Sequence, residues 1–147
     1  MSWLRAMREK EPPEPENPIG TVVIGTIEPD IMTTAKDMVR RSLMIAQFKV
    51  IDIGRGVPAE KFVSKAKEVN ADIIVVSVLL KTAKDNLPNL MFALENERLK
   101  DKVTVMIGGA AVKKEDADKL GVMYGKTRDD AVIMAKKVIE QKMNKIQ

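Results

Sequence analysis

The chain has 147 residues, of which 45% are hydrophobic and 31% charged, and its net charge is +4. This length suits one domain with its own hydrophobic core, and the charge is too small to indicate a nucleic-acid-binding protein. Because the sequence contains neither histidine nor cysteine, it excludes disulfides, imidazole or thiolate zinc sites, and catalytic triads that depend on histidine.

The sequence also gives no sign of a membrane segment or a signal peptide. No apolar run is long enough to cross a bilayer, and Met1–Arg5 leads directly into charged residues. The five aromatic residues are not interleaved with a basic cluster, so a stacking platform for nucleic-acid bases is not expected. We therefore expect a cytoplasmic protein with no membrane or nucleic-acid partner.

Residues 1–18 are predicted to form a segment separate from the domain, which spans residues 19–147. Ser2–Arg8 can form a short helix, but four prolines between residues 12 and 18 prevent regular structure, because proline lacks the amide donor and restricts its neighbour. We predict a Pro-rich linker there. The apolar Trp3, Leu4 and Met7 either dock on a partner or on the domain, or belong to a partly ordered tail.

From residue 20 onwards, β-branched apolar runs alternate with stretches of helical periodicity. The predicted strands are Thr21–Gly25, Phe48–Ile53, Asp72–Leu80, Val103–Ile107 and Val122–Tyr124. The predicted helices are Thr34–Gln47, Pro58–Val69, Asp85–Glu97, Lys114–Leu120 and Asp129–Met143. Gly54–Gly56 is predicted to turn the chain between the second strand and the second helix.

Five strands alternating with helices imply an α/β fold whose parallel sheet is covered by helices on both faces. Since crossovers between parallel strands are right-handed, we predict a flavodoxin-like (Rossmann-type) five-stranded sheet with the order 2-1-3-4-5. Ligands bind such sheets beyond the carboxyl ends of the strands. This places a site near residues 24–34, 77–82 and 108–110.

The loops at that edge exclude three common functions of this fold. A response regulator needs a phosphoacceptor aspartate after the third strand, where this chain has Ser77–Leu79. A flavodoxin binds phosphate after the first strand, where the carboxylates of Glu28 and Asp30 would repel it. A dinucleotide site needs a glycine series that does not follow Gly25.

Three short motifs follow the first, third and fourth predicted strands. They are Asp30-Ile31-Met32-Thr33-Thr34-Ala35, Ser77-Val78-Leu79 and Gly108-Gly109-Ala110. In this order they resemble the motifs Asp-x-His-x-x-Gly, Ser-x-Leu and Gly-Gly of vitamin B12-binding domains, in particular the corrinoid proteins of methyltransferase systems. The resemblance covers about residues 20–140.

The resemblance implies a domain that binds cobalamin or another corrinoid, with the nucleotide tail of the cofactor in a slot beside the sheet. Glycines let the backbone approach the tail, Ser77 and Thr82 supply hydroxyls, and Leu79 supplies an apolar wall. Alternatively, Gly108 and Gly109 only make a turn, and Ser77 caps the next element. The residues implied in cofactor binding are Thr26, Asp30, Met32, Thr33, Ala35, Ser77, Leu79, Thr82, Gly108, Gly109, Tyr124 and Gly125; none is assigned a catalytic or metal-ligating role.

Two residues depart from the first motif of the family. Met32 stands where the family has the histidine that ligates cobalt, and Ala35 stands where it has glycine. Asp30, which orients that histidine in the family, is present in this chain. Asp30, Thr33 or Thr34 can cap the following helix. Because thioethers suit softer metals, we expect Met32 to pack in the core or the loop and the corrinoid to have no protein axial ligand.

The resemblance therefore implies a corrinoid-binding carrier subunit, not a complete enzyme, that presents a cobamide for methyl transfer to a partner methyltransferase. A reductive activase is a further expected partner. In the family a helical cap precedes the B12 domain, and here either a partner supplies that cap or the chain does not carry methyl groups. The alternative is a degenerate domain that no longer binds cobalamin and acts as an interaction or regulatory module. A third reading, the small subunit of a cobalamin mutase, lacks the required histidine.

Overall fold

The computed structural model describes residues 11–146, so the helix predicted over Ser2–Arg8 lies outside the described residues. The strands are β1 (Thr21–Ile27), β2 (Lys49–Val57), β3 (Ile73–Ser77), β4 (Thr104–Gly108) and β5 (Met123–Tyr124). The helices are α1 (Thr34–Ile45), α2 (Ala59–Val69), α3 (Lys81–Lys84), α4 (Leu87–Asn96), α5 (Lys114–Leu120) and α6 (Arg128–Ile146). Within residues 11–146, none of these helices has the length and apolar character needed to cross a membrane.

The strands form one parallel sheet with the order β2-β1-β3-β4-β5, which confirms the predicted flavodoxin-like fold. Successive residues of a strand point to opposite faces, so the sheet supplies two hydrophobic clusters. The cluster on one face includes Phe62 of α2 and Leu90 of α4. The cluster on the other face includes Leu43 of α1 and Ala135 of α6. Helices α1 and α6 thus cover one face together, and the candidate site lies under them.

The turn predicted at Gly54–Gly56 is wrong, because β2 continues through these residues to Val57. The pairing of β2 with β1 shifts register twice near Gly25. Gly54 and Gly56 have φ angles of 98° and 59°, which glycine adopts without steric cost. They allow β2 to bulge and continue instead of ending.

The third predicted strand is too long, since β3 ends at Ser77 and not at Leu80. The amides of Leu79 and Leu80 donate hydrogen bonds to the carboxylate of Asp30, at 2.5 and 3.3 Å, instead of to a neighbouring strand. The chain then forms the short helix α3, which the sequence did not predict, and α4 begins two residues later than predicted. An interaction with a distant residue therefore ends the strand.

Asp72 ties the amino end of β1 to α6. Its Oδ2 atom accepts the Thr21 N–H at 2.9 Å, and its Oδ1 atom accepts a hydrogen bond from Lys142 Nζ at 2.9 Å. Asp72→Ala leaves that amide without its partner, so we expect the free energy of unfolding, measured in urea, to fall by about 1–2 kcal/mol. Asp85 is exposed and its side chain has no partner in residues 11–146, so Asp85→Ala should change stability by less than about 0.5 kcal/mol. Equal losses in the two variants would contradict this role.

Candidate functional site

Three predicted site residues from adjacent strands lie in one row at the carboxyl edge of the sheet. Thr26 of β1 is paired with Ser77 of β3, and Ser77 is paired with Gly108 of β4. Since residues in register on neighbouring strands share a face, the row points to one side of the sheet. Two residues earlier on the same face are Ile24, Val75 and Met106, which belong to the cluster under α1 and α6.

A cavity of about 400 Å³ lies on this face, between the sheet and helices α1 and α6. Its volume is within the range of small-molecule pockets. The apolar part of its lining includes Ile24, Val39, Val75, Met106 and Ala131. The predicted site residues in its lining are Ala35, Ser77, Gly108, Gly109 and Gly125. The cavity thus brings together parts of all three sequence motifs.

Ser77 places an unsatisfied hydroxyl in this cavity. The residue is 7% exposed, and its Oγ atom has no hydrogen-bond partner within residues 11–146. It therefore does not cap the next element, which was the alternative reading of this residue. A buried hydroxyl without a partner costs about 1–3 kcal/mol, and such groups are rare. The orphaned oxygen is therefore available to a molecule that enters the cavity.

The two glycines after β4 are required by backbone packing. A Cβ atom on Gly108 would lie 2.6 Å from the carbonyl oxygen of Gly125, and one on Gly109, whose φ is 116°, would overlap the backbone of Val78. Only glycine fits these contacts without moving the backbone. The fold alone explains the glycine pair, so the pair is not independent support for a ligand.

Asp30 holds two loops together at the carboxyl edge. The residue is 1% exposed; its Oδ2 atom accepts the amides of Leu79 and Leu80, and its backbone carbonyl accepts the Gly56 N–H at 2.7 Å. Helix α1 starts after Thr33 without a side-chain cap, so the predicted capping role of the loop is wrong. The Oδ1 atom of Asp30 has no partner within the described residues.

An exposed apolar rim lies beside Asp30 and consists of Ile31, Met32 and Leu80. These side chains are 63%, 60% and 51% exposed. The hydroxyl of Thr26 donates to the backbone carbonyl of Met32 at 3.3 Å and so holds the loop. The expectation that Met32 packs in the core or the loop is wrong, because most of its side chain faces solvent. Exposed apolar side chains at one edge of the sheet offer a surface that an apolar ligand could cover.

Besides Thr26 and Asp30, four predicted site residues lie outside both the cavity lining and the rim. Thr82 is exposed on α3, and Leu79 is half-buried in the loop after β3. Thr33 is half-buried at the start of α1. Tyr124 packs against the hydrophobic cluster on the opposite face of the sheet. None of these four residues lines the cavity.

Lys36, which the sequence analysis did not single out, is buried in the cavity wall. Its Nζ atom lies 2.6 Å from Asp52 Oδ2 and 3.1 Å from Asp37 Oδ1. Nearby, Arg40 donates two hydrogen bonds of 2.7 and 2.8 Å to Glu11, and these bonds lower the pKa of the Glu11 carboxyl. The network fastens α1 to β2 and to the segment before β1. Its carboxylates compensate the charge of Lys36.

The mouth of the cavity is formed by exposed residues just before α6 and in its first turn, which the sequence analysis did not single out. Lys126, Arg128 and Asp129 line it. The hydroxyl of Thr127 accepts the Asp130 N–H at 3.1 Å and so caps α6. Thr-x-x-Asp before an apolar helical stripe is a sequence signal of a helix start, and it would have placed these residues at the carboxyl edge.

Comparison with known proteins agrees with this geometry. Residues 20–134 match the family model described as the B12 binding domain. The trimethylamine corrinoid protein 1 of Methanosarcina acetivorans is 42% identical over 140 residues, which are 95% of this chain and 64% of that protein. The chain therefore spans less than two thirds of the length of this relative.

Solved structures give the same result. The cobalamin-binding protein from Desulfitobacterium hafniense DCB-2 superimposes with a TM-score of 0.78 and 29% identity, covering 81% of this chain and 58% of that one. The methanol:cobalamin methyltransferase complex MtaBC from Methanosarcina barkeri gives a TM-score of 0.80 and 25% identity, covering 84% of this chain and 48% of that one.

Proposed function

The chain belongs to the B12 binding domain family, and we propose that it binds a corrinoid at the carboxyl edge of its sheet and presents it to a methyltransferase. The observation that carries this proposal is the cavity beside β3 with the orphaned Ser77 hydroxyl inside it. In a domain that had lost its ligand, we would expect larger side chains in this space and a partner for the hydroxyl. The open cavity thus favours binding over the degenerate alternative.

The residues present fit a corrinoid with a nucleotide tail. The apolar side chains of the cavity suit a heteroaromatic base, and Ser77 supplies a hydrogen-bonding group beside it. The apolar rim of Ile31, Met32 and Leu80 lies at the same edge and suits the macrocycle. Asp30 supports the rim through the hydrogen bonds of Leu79 and Leu80. We propose that these residues hold the cofactor, together with the glycines of the cavity.

We propose that the bound corrinoid has no axial ligand from the protein. The chain has no histidine, and the thioether of Met32 is a poor match for cobalt. The corrinoid supplies the cobalt centre that carries the methyl group, and the protein holds it and controls access to it. The nucleotide tail, held in the cavity, would then be the main anchor of the cofactor on the protein.

The relatives supply the reason for proposing a methyltransferase as the partner. One related protein is named as a trimethylamine corrinoid protein, and one structural neighbour is a methanol:cobalamin methyltransferase complex. The exposed rim at the cofactor edge leaves a surface for such a partner to cover. A reductive activase is the second partner that we propose, since a carrier of this kind must be returned to its reduced state.

The proposal is tested by mixing the purified chain with hydroxocobalamin and removing free ligand by gel filtration. We expect the protein fraction to retain corrinoid, and its absorption spectrum at neutral pH to lack the signature of an imidazole ligand. A folded protein that retains no corrinoid would contradict the proposal and favour an interaction module.

Met32→His tests where the cobalt lies. If the rim holds the macrocycle, the new imidazole can ligate cobalt, so we expect the visible absorption bands of the loaded variant to shift at neutral pH. The shift should reverse only at a pH well below the ordinary pKa of histidine, because cobalt competes with the proton for the imidazole nitrogen. Met143→His, at an exposed position on α6, is the matched control and should leave the spectrum unchanged. Identical spectra for the two variants would show that cobalt lies elsewhere.

A further inference from the structure

We propose that residues 1–10 fold back over the apolar rim of Ile31, Met32 and Leu80, and that this segment and the corrinoid compete for the rim. The competition rests on the proposed function, whereas the docking of the segment does not. Three features support this contact: the path of the chain before β1, the exposure of the rim, and the apolar residues of the segment.

The chain before β1 runs along α1 towards the carboxyl edge of the sheet. The Ile19 amide donates a hydrogen bond of 2.9 Å to the carbonyl of Gln47, which follows the carboxyl end of α1. Further towards the amino terminus, Glu11 accepts hydrogen bonds of 2.7 and 2.8 Å from Arg40, in the middle of the same helix. Residues 11–19 therefore run antiparallel to α1, and the segment 1–10 begins on the way to the rim.

Glu11 and the rim lie on the same side of α1, which is the side of β2. The Nε atom of Arg40, which binds Glu11, lies 3.9 Å from Asp52 Oδ2 in β2. A Cβ atom on Gly56, near the carboxyl end of the same strand, would lie 4.0 Å from Cγ2 of Ile31. The segment can therefore follow β2 to the rim without crossing α1.

The rim is within reach of this segment. An α-helix rises about 1.5 Å per residue, so about 10 Å of α1 separates Arg40 from Thr33, the neighbour of Met32. Eight residues separate Trp3 from Glu11, and a flexible chain of that length has a root-mean-square extension of about 15 Å. No rearrangement of the domain is needed for Trp3 to meet the rim.

The segment has the chemistry that the rim lacks. Trp3, Leu4 and Met7 are its apolar residues, and their spacing places them on one face of a helix. Each side chain of the rim is more than half exposed, so docking removes apolar surface from water on both partners. A tethered segment acts at an effective concentration of about a millimolar, so that a weak contact suffices. A corrinoid at the rim then binds only the uncovered fraction of the molecules.

The first test uses the fluorescence of Trp3, the only tryptophan in the sequence, in the corrinoid-free chain. The rim variant is Ile31→Ser/Met32→Ser/Leu80→Ser. The matched control replaces three equally exposed apolar residues outside the rim and the cavity lining, as Phe92→Ser/Ile133→Ser/Met143→Ser. If about four-fifths of the molecules are covered, the quenching constant of acrylamide should be about fivefold smaller in the unaltered chain and the control than in the rim variant.

Equal quenching of Trp3 in the rim variant and the control would overturn the docking. Because the replaced side chains are exposed, both variants should keep the unfolding midpoint of the unaltered chain within a few degrees. A second copy of the chain is another source of the segment, so the measurement is repeated over a range of protein concentrations. We expect no change. Protection that rises with concentration, together with a dimer in sedimentation, would overturn the proposal in favour of exchange between copies.

The second test measures the competition by equilibrium dialysis with hydroxocobalamin. The segment variant Trp3→Ala/Leu4→Ala/Met7→Ala leaves every residue of the rim and the cavity in place. For the same covered fraction of about four-fifths, we expect this variant to bind hydroxocobalamin about fivefold more tightly than the unaltered chain. Equal binding would overturn the competition. Weaker binding would overturn it too, because the segment would then hold the cofactor instead of displacing it.

The two readouts separate this inference from the proposed function. If Trp3 is protected by the rim but the chain retains no corrinoid, the proposed function and the competition fail and the docking stands. If the chain retains corrinoid but Trp3 is quenched equally in every variant, the docking fails and the proposed function stands.

Discussion

Ala35→Trp is expected to raise the dissociation constant for hydroxocobalamin about 70-fold, because an indole at the wall of the cavity excludes the nucleotide tail. Ala35 lies in the first turn of α1, lines the cavity and is exposed, so a larger side chain can be added without disturbing the core. Losing the burial of about 100 Å² of apolar tail surface costs about 2.5 kcal/mol, which corresponds to that factor. Equilibrium dialysis measures the change.

Ile45→Trp is the matched control for this substitution. Ile45 is an exposed apolar residue at the other end of α1 and lies outside the cavity lining, so its replacement should leave both the affinity and the unfolding midpoint unchanged. If Ala35→Trp binds hydroxocobalamin as tightly as the control, the corrinoid tail does not lie in this cavity.

Gly109→Ala is expected to lower the free energy of unfolding by about 3 kcal/mol or more, the range reached when backbone strain and a severe steric overlap act together. Gly109 has a φ of 116°, and a Cβ atom there would overlap the carbonyl group of Val78. Neither partner can relax easily, since the Val78 amide donates to the Gly108 carbonyl and the Val78 carbonyl accepts the Ala111 amide. Urea denaturation measures the loss.

Gly121→Ala separates the cost of backbone strain from the cost of steric overlap. Gly121 has a positive φ of 70°, but a Cβ atom there would meet nothing within 4 Å. Its replacement should cost only about 1 kcal/mol, the usual penalty of a left-handed conformation for alanine. A loss in Gly109→Ala no larger than in Gly121→Ala would show that the loop after β4 can move away.

The steric result also limits how the site can be probed. A side chain on Gly108 would meet the carbonyl oxygen of Gly125 at 2.6 Å, so Gly108→Val would disturb the backbone whether or not a ligand binds nearby. Loss of corrinoid binding in that variant would not identify the cavity. Ala35, at an exposed wall, gives the cleaner test.

The fold was predictable because its signals are local. Runs of β-branched residues such as Val22–Ile24 and helical stripes such as that of α1 alternate along the chain, and this alternation admits few topologies. The end of β3 was not predictable, because Leu79 and Leu80 leave the sheet to bond with Asp30, almost 50 residues earlier in the chain. The bulge in β2 likewise depends on its pairing with β1.

The site could be predicted in part. The row of Thr26, Ser77 and Gly108 follows from their places at strand ends, because parallel strands bring their carboxyl ends to one edge. Ser77 and Gly108 begin two of the three motifs, and Thr26 lies shortly before the other. The burial of Lys36 could not be seen, since its partner Asp52 lies in another element. The cationic mouth was missed because the loop before α6 belongs to none of the three motifs. Which side chains of a loop point inward depends on packing that the sequence does not display.

The most direct test of the central claim is a titration of ¹⁵N-labelled protein with hydroxocobalamin, followed by backbone amide chemical shifts. The cobalt of hydroxocobalamin is diamagnetic, so shifts report contact and local rearrangement. We predict that the largest changes occur at Ser77, Gly108, Gly109 and Gly125, with further changes at Ala35 and Met32. Saturable changes confined to the opposite face of the sheet, near α2 and α4, or no changes at all, would contradict the claim that this cavity binds the corrinoid.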